Sequence, residues 1–386
     1  MIFNQSEKAK ILLQSEIRNM SIECAKQNGI NLAQGICDLP LEKILSDGAN
    51  DAMETGKNYY TRYDGIDFLR EQIAIKARNF NKINVAKDNI IVSCGATGAL
   101  YSTCFALFNP GDEILLFEPY YGYHEYTLGS LDIIPVFATL TPPLWNFDID
   151  QMQKLVTSKT KAVIICTPSN PCGKVFNKDE LDQLADFCVK NNLIVLTDEI
   201  YEYITYDEYE HISPASYNKL KDITITVSGY SKTFSITGWR IGYCIANENI
   251  VKWIGNASDL LYVCAPGPLQ YGVACAIKNI PDIFYINLKK QYQEKRDILC
   301  TALTNIGLTP FVPQGSYYIL ADVSGIAGET SKEKAIHILN KTGIGVVPGD
   351  AFYNGNGGKN LVRLCFAKDF HVIEEACERL FLLKSR

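Results

Sequence analysis

The sequence predicts an α/β fold: a large domain with a mainly parallel, doubly wound seven-stranded sheet, plus a smaller α+β domain. Three observations predict it. Short apolar runs recur from about residue 90 onward, helical patterns lie between them, and the rhythm changes after about residue 280. The runs are NIIVS (89–93), DEILLFE (112–118), DIIPVFA (132–138), KAVIICT (161–167), LIVLTDE (193–199), ITITVS (223–228) and WRIGYCIA (239–246). Several are nearly continuous and β-branched, as strands covered on both faces require. Between them, most clearly in NKDELDQLADFCVKNN (177–192), apolar residues return every three or four positions, the period of a helix with one buried face. Strand–helix alternation of this kind builds a doubly wound sheet.

Beyond residue 280 a long charged helix, FYINLKKQYQEKRDILCTALTNIG, leads to TPFVPQ, YYILADV, IGVVPG and NLVRLCFA. Helices SKEKAIHILNKTG and HVIEEACERLFLL lie among and after these runs, which suggests the smaller lobe. The segment before about residue 48 is expected to pack on it. The expected division is therefore 48–280 for the large domain, and 1–47 with 281–386 for the small one.

Bulk properties narrow the function. A chain of 386 residues can bury a large core and form two lobes. Formal net charge is −6 and no Lys/Arg-dense run stands out, which disfavours a nucleic-acid partner. The 13 cysteines include no CxxC pair and sit mostly in apolar runs such as KAVIICT and IGYC. They read as reduced, buried thiols of a cytosolic protein, and no metal site is expected. The first twenty residues read as a polar stretch turning into an amphipathic helix, without a signal-peptide core. No apolar run approaches the ~18 residues that span a bilayer. The expectation is a soluble, cytoplasmic protein.

The chemistry concentrates in GYSKTFSITGWRIG (229–242). Lys232 follows Ser231 and precedes Arg240 by eight residues. Such an amine can form a Schiff base with an aldehyde, while the hydroxyl and guanidinium hold a phosphate on the same molecule. The bland alternative is a lysine in a Ser/Thr-rich loop followed by a solvated arginine.

Other candidates lie at strand ends, where open α/β sheets bind ligands. SCGATGAL (93–100) is a strand-to-helix turn whose N–H groups at Gly95, Ala96 and Thr97 can face a phosphate, or simply turn the chain. In TPSNPCGKVF (167–176), Asn170 precedes Pro171 in a turn signal. TDEIY (197–201) ends an apolar strand on Asp198, either a crevice carboxylate or a helix cap, with Tyr201 three residues on. FEPYYGYH (117–124) carries Tyr121, a ring at the site or an ordinary core or surface tyrosine. In INLAQGICDLP (30–40), Gly35 lets backbone approach a ligand. Arg363 sits in the apolar run NLVRLCFA, which demands an anionic partner, whether a structural carboxylate or a substrate.

In this order, from INLAQG to VRLCFA, these elements resemble the class I/II pyridoxal-phosphate-dependent aminotransferases of fold type I. TRY–G (61–65), TPSNPCGKVF and KTFSITGW resemble the kynurenine/glutamine branch, whereas GWRIGY and VVPGDAF are shared with aspartate and aromatic members. The resemblance implies pyridoxal 5′-phosphate as cofactor. It makes Lys232 the Schiff-base lysine and proton carrier, and pairs Asp198 with the ring nitrogen so that the ring stays an electron sink. Asn170 and Tyr201 then bond the phenolate oxygen, and Tyr121 stacks on the ring. Ser231, Arg240 and the Gly95–Ala96–Thr97 amides take the phosphate. Gly35, Asn170 and Arg363 take the substrate. Tyr60, in YYTRYDGIDFLREQIA, reaches the phosphate of the neighbouring subunit, implying a homodimer. One departure is Gly229, where several members carry a phosphate-binding serine; Ser231 is expected to replace it.

The implied reaction is ping-pong transfer of an amino group from an L-amino acid to a 2-oxo acid. Dicarboxylate preference needs a second cation, and the sequence assigns none. Tyr60, Tyr63, Tyr120 and Tyr123 tilt the expectation to aromatic, methionine or other large neutral donors. An aspartate aminotransferase and a cysteine-conjugate β-lyase are the alternatives. A transcription regulator with an aminotransferase-like sensor would need a basic DNA-binding segment ahead of residue 30, and none is expected.

Overall fold

The computed structural model describes residues 4–12 and 14–384. Its strands are β1 (Ile30–Asn31), β2 (Ile90–Cys94), β3 (Glu113–Glu118), β4 (Ile134–Thr139), β5 (Thr160–Cys166), β6 (Ile194–Asp198) and β7 (Thr224–Gly229). They continue with β8 (Ile241–Ile245), β9 (Thr309–Phe311), β10 (Tyr318–Asp322), β11 (Ile344–Gly345), β12 (Val347–Pro348) and β13 (Leu361–Cys365). The seven runs read from the sequence become one seven-stranded sheet, ordered β2-β8-β7-β6-β5-β3-β4. Only β8 runs antiparallel to its neighbours, β2 and β7; the other adjacent pairs are parallel.

Alternation along the central strands sends side chains to two of the three buried clusters. Leu115, Val163 and Val195 face one buried cluster, while Ile114, Leu116, Ile164 and Leu196 face another on the opposite side. Both faces are dry, so the runs carry no polar alternation. The helix Lys178–Lys190 shows the covering elements at work. Asn177 caps it reciprocally with Glu180, and Leu181, Leu184, Ala185 and Cys188 form its buried face.

Most strand boundaries fall within one or two residues of the sequence reading, and one shift has a clear backbone cause. The run WRIGYCIA predicts a strand from residue 239, but β8 starts at Ile241. Arg240 has φ +56°, and a left-handed residue cannot continue a pleated strand.

The C-terminal part forms a four-stranded sheet, β12-β13-β10-β9, with antiparallel pairings. The helices Asp282–Asn305, Ser331–Thr342 and Phe370–Leu380 accompany it. β1 pairs in parallel with β11, which ties the N-terminal segment to this region. Ile319, Val347 and Leu364 belong to the same buried cluster as Leu115 and Val195, so apolar packing runs continuously from one sheet to the other. Toward the N-terminus there are two helices, Glu7–Ile11 and Glu16–Lys26, where the sequence suggested one. All 13 cysteines are free; four of them, Cys94, Cys166, Cys264 and Cys275, are only partly buried. Among the described residues no helix is long and apolar enough to cross a membrane.

Behind β6 and β7 lies a buried charge network. Lys76 Nζ is 2.5 Å from Glu202 Oε2 with both side chains buried. Glu202 also accepts hydrogen bonds from Asn81, Ser228 and Tyr243. His211 Nε2 lies 2.8 Å from Glu199. Glu199, Glu202 and His211 bring ligand atoms within 4.8 Å of one another, but protein groups already engage both carboxylates. Lys76→Met strands Glu202 without its countercharge. It should cost about 3–5 kcal/mol, read as a lower urea unfolding midpoint than wild type.

Candidate active site

The loops after β2, β3, β5, β6 and β7 meet around a cavity of ≈ 350 Å³, the crevice position expected of such a sheet. A second cavity, of ≈ 360 Å³, adjoins it and shares Tyr121, Asn170, Tyr201 and Lys232.

Lys232 stands three residues past the end of β7. Its amine donates to the Gly35 carbonyl at 3.2 Å and lies 5.9 Å from the Tyr317 ring centroid. Loss of hydration in the cavity pushes its pKa below the ordinary lysine value. Gly35 is required for this approach, because a Cβ there would fall 1.9 Å from the Tyr318 hydroxyl.

Asp198 closes β6 and is buried. One carboxylate oxygen lies 2.9 Å from His124 Nε2, and the other accepts from the Ile200 N–H at 3.2 Å. No helix follows directly, so the capping alternative falls away. The sequence reading missed His124. It sits on the helix Gly122–Ser130, three residues past Tyr121, and its ring meets the Tyr121 ring edge-on at 5.5 Å. That spacing was the available signal, since positions three apart share a helix face. Tyr201 is buried and donates to the Tyr318 hydroxyl at 3.3 Å.

Arg363 lies on β13 with 0% exposure. It donates to Asn170 Oδ1 at 2.8 Å and to the Ala33 carbonyl at 2.6 Å. The Tyr318 ring covers its guanidinium at 4.1 Å. Among the described residues no carboxylate pairs with it, and its Nε has no hydrogen-bond partner. The structural salt bridge is therefore not the arginine's partner here.

At the other end of the cavity, the helix Gly95–Leu107 begins without a side-chain cap, leaving its first N–H groups open. Ala96, Thr97 and the buried Ser231 line the cavity there. Arg240 donates to the carbonyls of Thr237 and Cys94 at 3.1 and 3.4 Å. Gly95 has φ +74°, and a Cβ on it would fall 2.2 Å from an Arg240 Nη. Gly229 pairs with Gly242 across β7 and β8, and a Cβ at 229 would fall 2.9 Å from the Gly242 Cα. The ladder leaves no room for a side chain at 229, which accounts for the missing serine.

Not every predicted residue arrives. Tyr60 is 79% exposed and lines neither cavity. The Tyr63 ring packs against Gly255 instead, and Tyr120 lines neither cavity but borders a small adjoining pocket behind Tyr121 and His124. The tyrosines that line the two cavities are Tyr121, Tyr123, Tyr201 and Tyr318. Arg18, which the sequence reading did not single out, lines both.

Residues 27–380 match the family described as aminotransferase class I and II. The chain belongs to that family. It is 33% identical to a kynurenine–oxoglutarate transaminase of Dictyostelium discoideum, over 93% of this chain and 92% of that protein. It is 32% identical to an aspartate aminotransferase of Sulfolobus acidocaldarius, over 92% and 90%. Among solved structures it superposes on the N-succinyldiaminopimelate aminotransferase of Mycobacterium tuberculosis with a TM-score of 0.94 at 29% identity, covering 98% and 100%. An Escherichia coli protein with a methionine aminotransferase function gives 0.94 at 30%, covering 99% and 100%.

This aminotransferase is thus an enzyme of amino-group transfer, in a family that depends on pyridoxal phosphate. Its cavity carries the donor set that such a cofactor needs: an open helix N-terminus and Arg240 at one end, an amine in the middle, and a buried carboxylate beside it. The lowered pKa of Lys232 has a direct consequence. At any pH below 10.5 its amine is uncharged in a larger fraction than an ordinary lysine. In cofactor-free protein at pH 8, limited acylation followed by peptide mass spectrometry should find Lys232 modified ahead of the exposed lysines. Equal labelling would contradict the shift.

Proposed function

We propose that this aminotransferase moves the amino group of a large neutral L-amino acid, aromatic residues and methionine among them, onto a 2-oxo acid, with pyridoxal 5′-phosphate held around Lys232. One observation carries the reading. An amine with a lowered pKa stands between an uncapped helix end with Arg240 and a buried arginine, Arg363, that lacks an anionic partner.

The phosphate would take the Gly95, Ala96 and Thr97 amides with Ser231 and Arg240. Lys232 Nζ would bond the aldehyde carbon. Asp198, held by His124, would face the ring nitrogen. Tyr121 would stack on the ring, and Asn170 and Tyr201 would reach its phenolate oxygen. When bound, the group supplies an electrophilic carbon and a ring that accepts the electron pair left at the substrate Cα.

The chain's own groups do the rest. Arg363 binds the α-carboxylate through the face its Nε leaves unused, and Asn170, already hydrogen-bonded to that guanidinium, fixes its angle. Gly35 lets the main chain run close to the substrate. The carboxylate so held turns the Cα–H bond toward Lys232. Once free, the Lys232 amine is easily kept neutral because burial disfavours its charged form, so it removes that proton and returns it. The donor preference rests on Tyr121 and Tyr123 along the cavity wall and on the methionine and kynurenine activities named for relatives.

The protein is further proposed to work as a cytoplasmic homodimer. Thirteen free thiols favour a reducing compartment. Tyr59, Tyr60, Trp253 and Leu260 are exposed at 65%, 79%, 54% and 78%. The segment holding the two tyrosines runs beside Gly267, where the next helix begins after Glu248–Tyr262. An apolar face of this kind favours a partner copy, and a two-fold contact there would bring each Tyr60 to the other subunit's phosphate end.

Lys232→Ala should lower transamination by more than about 10³-fold and remove the absorbance of the bound cofactor, both read on purified protein; retained turnover would refute the lysine's role. For the dimer, Lys232→Ala and Tyr60→Ala subunits are mixed after mild dissociation. Each hybrid then holds one site with an intact lysine and an intact opposing tyrosine. Activity should rise on mixing, and a flat response would remove Tyr60 from the neighbouring site.

A further inference from the structure

Tyr201 lines both cavities, whereas Tyr318 lines only the second, so Tyr318 stands behind Tyr201 as seen from the first. We propose that Tyr318 is a positioning residue for the reaction: its hydroxyl donates to the Tyr201 oxygen and leaves the Tyr201 proton for the phenolate oxygen of the cofactor. This rests on the cofactor reading above and adds a residue that acts through Tyr201.

The geometry isolates the pair. The two hydroxyl oxygens lie 3.3 Å apart, and both residues are buried. Among the described residues each hydroxyl has the other as its only hydrogen-bond partner. Tyr317 also flanks Tyr201, its ring edge-on at 5.1 Å, but its hydroxyl is given to the Gly35 carbonyl at 3.3 Å. Tyr318 is held in place from several sides. It opens β10, pairs with Cys365 on β13, and lays its ring 4.1 Å from the Arg363 guanidinium. The missing side chain at Gly35 leaves the space that the Tyr318 hydroxyl fills.

Two hydroxyls that share one bond carry two protons, so one proton is left over. With Tyr201 donating, the spare proton sits on Tyr318, where no acceptor among the described residues meets it. A buried O–H left that way costs free energy. With the bond reversed, the spare proton sits on Tyr201 at the cavity wall, where the phenolate oxygen would lie. A charged acceptor selects that order, because hydrogen bonds to ionised oxygens are the stronger ones. A donor behind Tyr201 then polarises it and strengthens its outward bond. Burial pushes both phenols above the ordinary tyrosine range, so both keep their protons through neutral and mildly alkaline pH.

The rival role for Tyr318 is packing alone, its ring over Arg363. Phenylalanine keeps that ring and removes only the oxygen, so one substitution separates the two roles.

The test uses protein loaded with pyridoxal phosphate and follows its visible absorbance against pH. That absorbance reports when the nitrogen joining the group to Lys232 loses its proton, a loss that donors on the neighbouring phenolate oxygen favour. Tyr201→Phe should raise the transition by about one in pH and Tyr318→Phe by about 0.3, the share of a bond that reinforces another. Added to Tyr201→Phe, Tyr318→Phe should change nothing further. In calorimetry, the unreactive monoacid 3-phenylpropionate should bind wild type and Tyr318→Phe alike, and Tyr318→Leu more weakly. The assignment is overturned if Tyr318→Phe leaves the transition in place, moves it equally with and without the Tyr201 hydroxyl, or loses acid affinity as Tyr318→Leu does. If Tyr201→Phe itself moves nothing, Tyr201 does not bond the phenolate, and that part of the cofactor reading falls together with the role of Tyr318.

Discussion

A guanidinium removed from water, with only neutral oxygens for partners, is the constraint that organises this end of the cavity. Arg363 is fully buried on β13, yet the acceptors around it are an amide oxygen and a main-chain carbonyl. Burying an ion this way is unfavourable unless strong hydrogen bonds and, in the end, an anion compensate it. The two acceptors come from Ala33 and Asn170, so one side chain joins three distant stretches of chain. Tyr318 lies against the guanidinium, and its hydroxyl meets Tyr201. The position of β13 against the seven-stranded sheet is thereby coupled to the geometry around Lys232.

The cavity's charge distribution follows from the same logic. Arg240, Lys232, Arg363 and Arg18 all line it or the adjoining space, in a chain whose formal net charge is −6. Cations gathered in one concave place focus the field there and draw anions inward. The buried carboxylate that lines this wall, Asp198, is held by His124 and a main-chain N–H.

Much of this was legible in the sequence, for a physical reason. Strands covered on both faces must be apolar throughout, so all seven runs of the large sheet stood out. Motifs that touch the cavity through adjacent residues, such as Ser231–Lys232 and the 95–97 turn, were equally visible. What escaped depends on distance in the chain or on backbone detail. Arg18 lines the cavity from the helix that precedes INLAQG, and no local pattern marks it. His124 was hidden by the tyrosines around it. The left-handed conformation of Arg240, which delays β8, has no signature in an arginine. Tyr63 and Tyr120 were grouped with the site by composition, although packing turns them elsewhere.

The short β1–β11 pairing separates two inheritances within one active site. Arg18 and Gly35 flank β1, which is hydrogen-bonded to β11 rather than to the large sheet. Lys232, Asp198 and the 95–97 turn belong to the large sheet's edge. The first forty residues are nonetheless bound to that edge through main-chain oxygens: the Gly35 carbonyl meets the Lys232 amine and the Ala33 carbonyl holds Arg363, so a change of backbone path there is felt at the cavity itself.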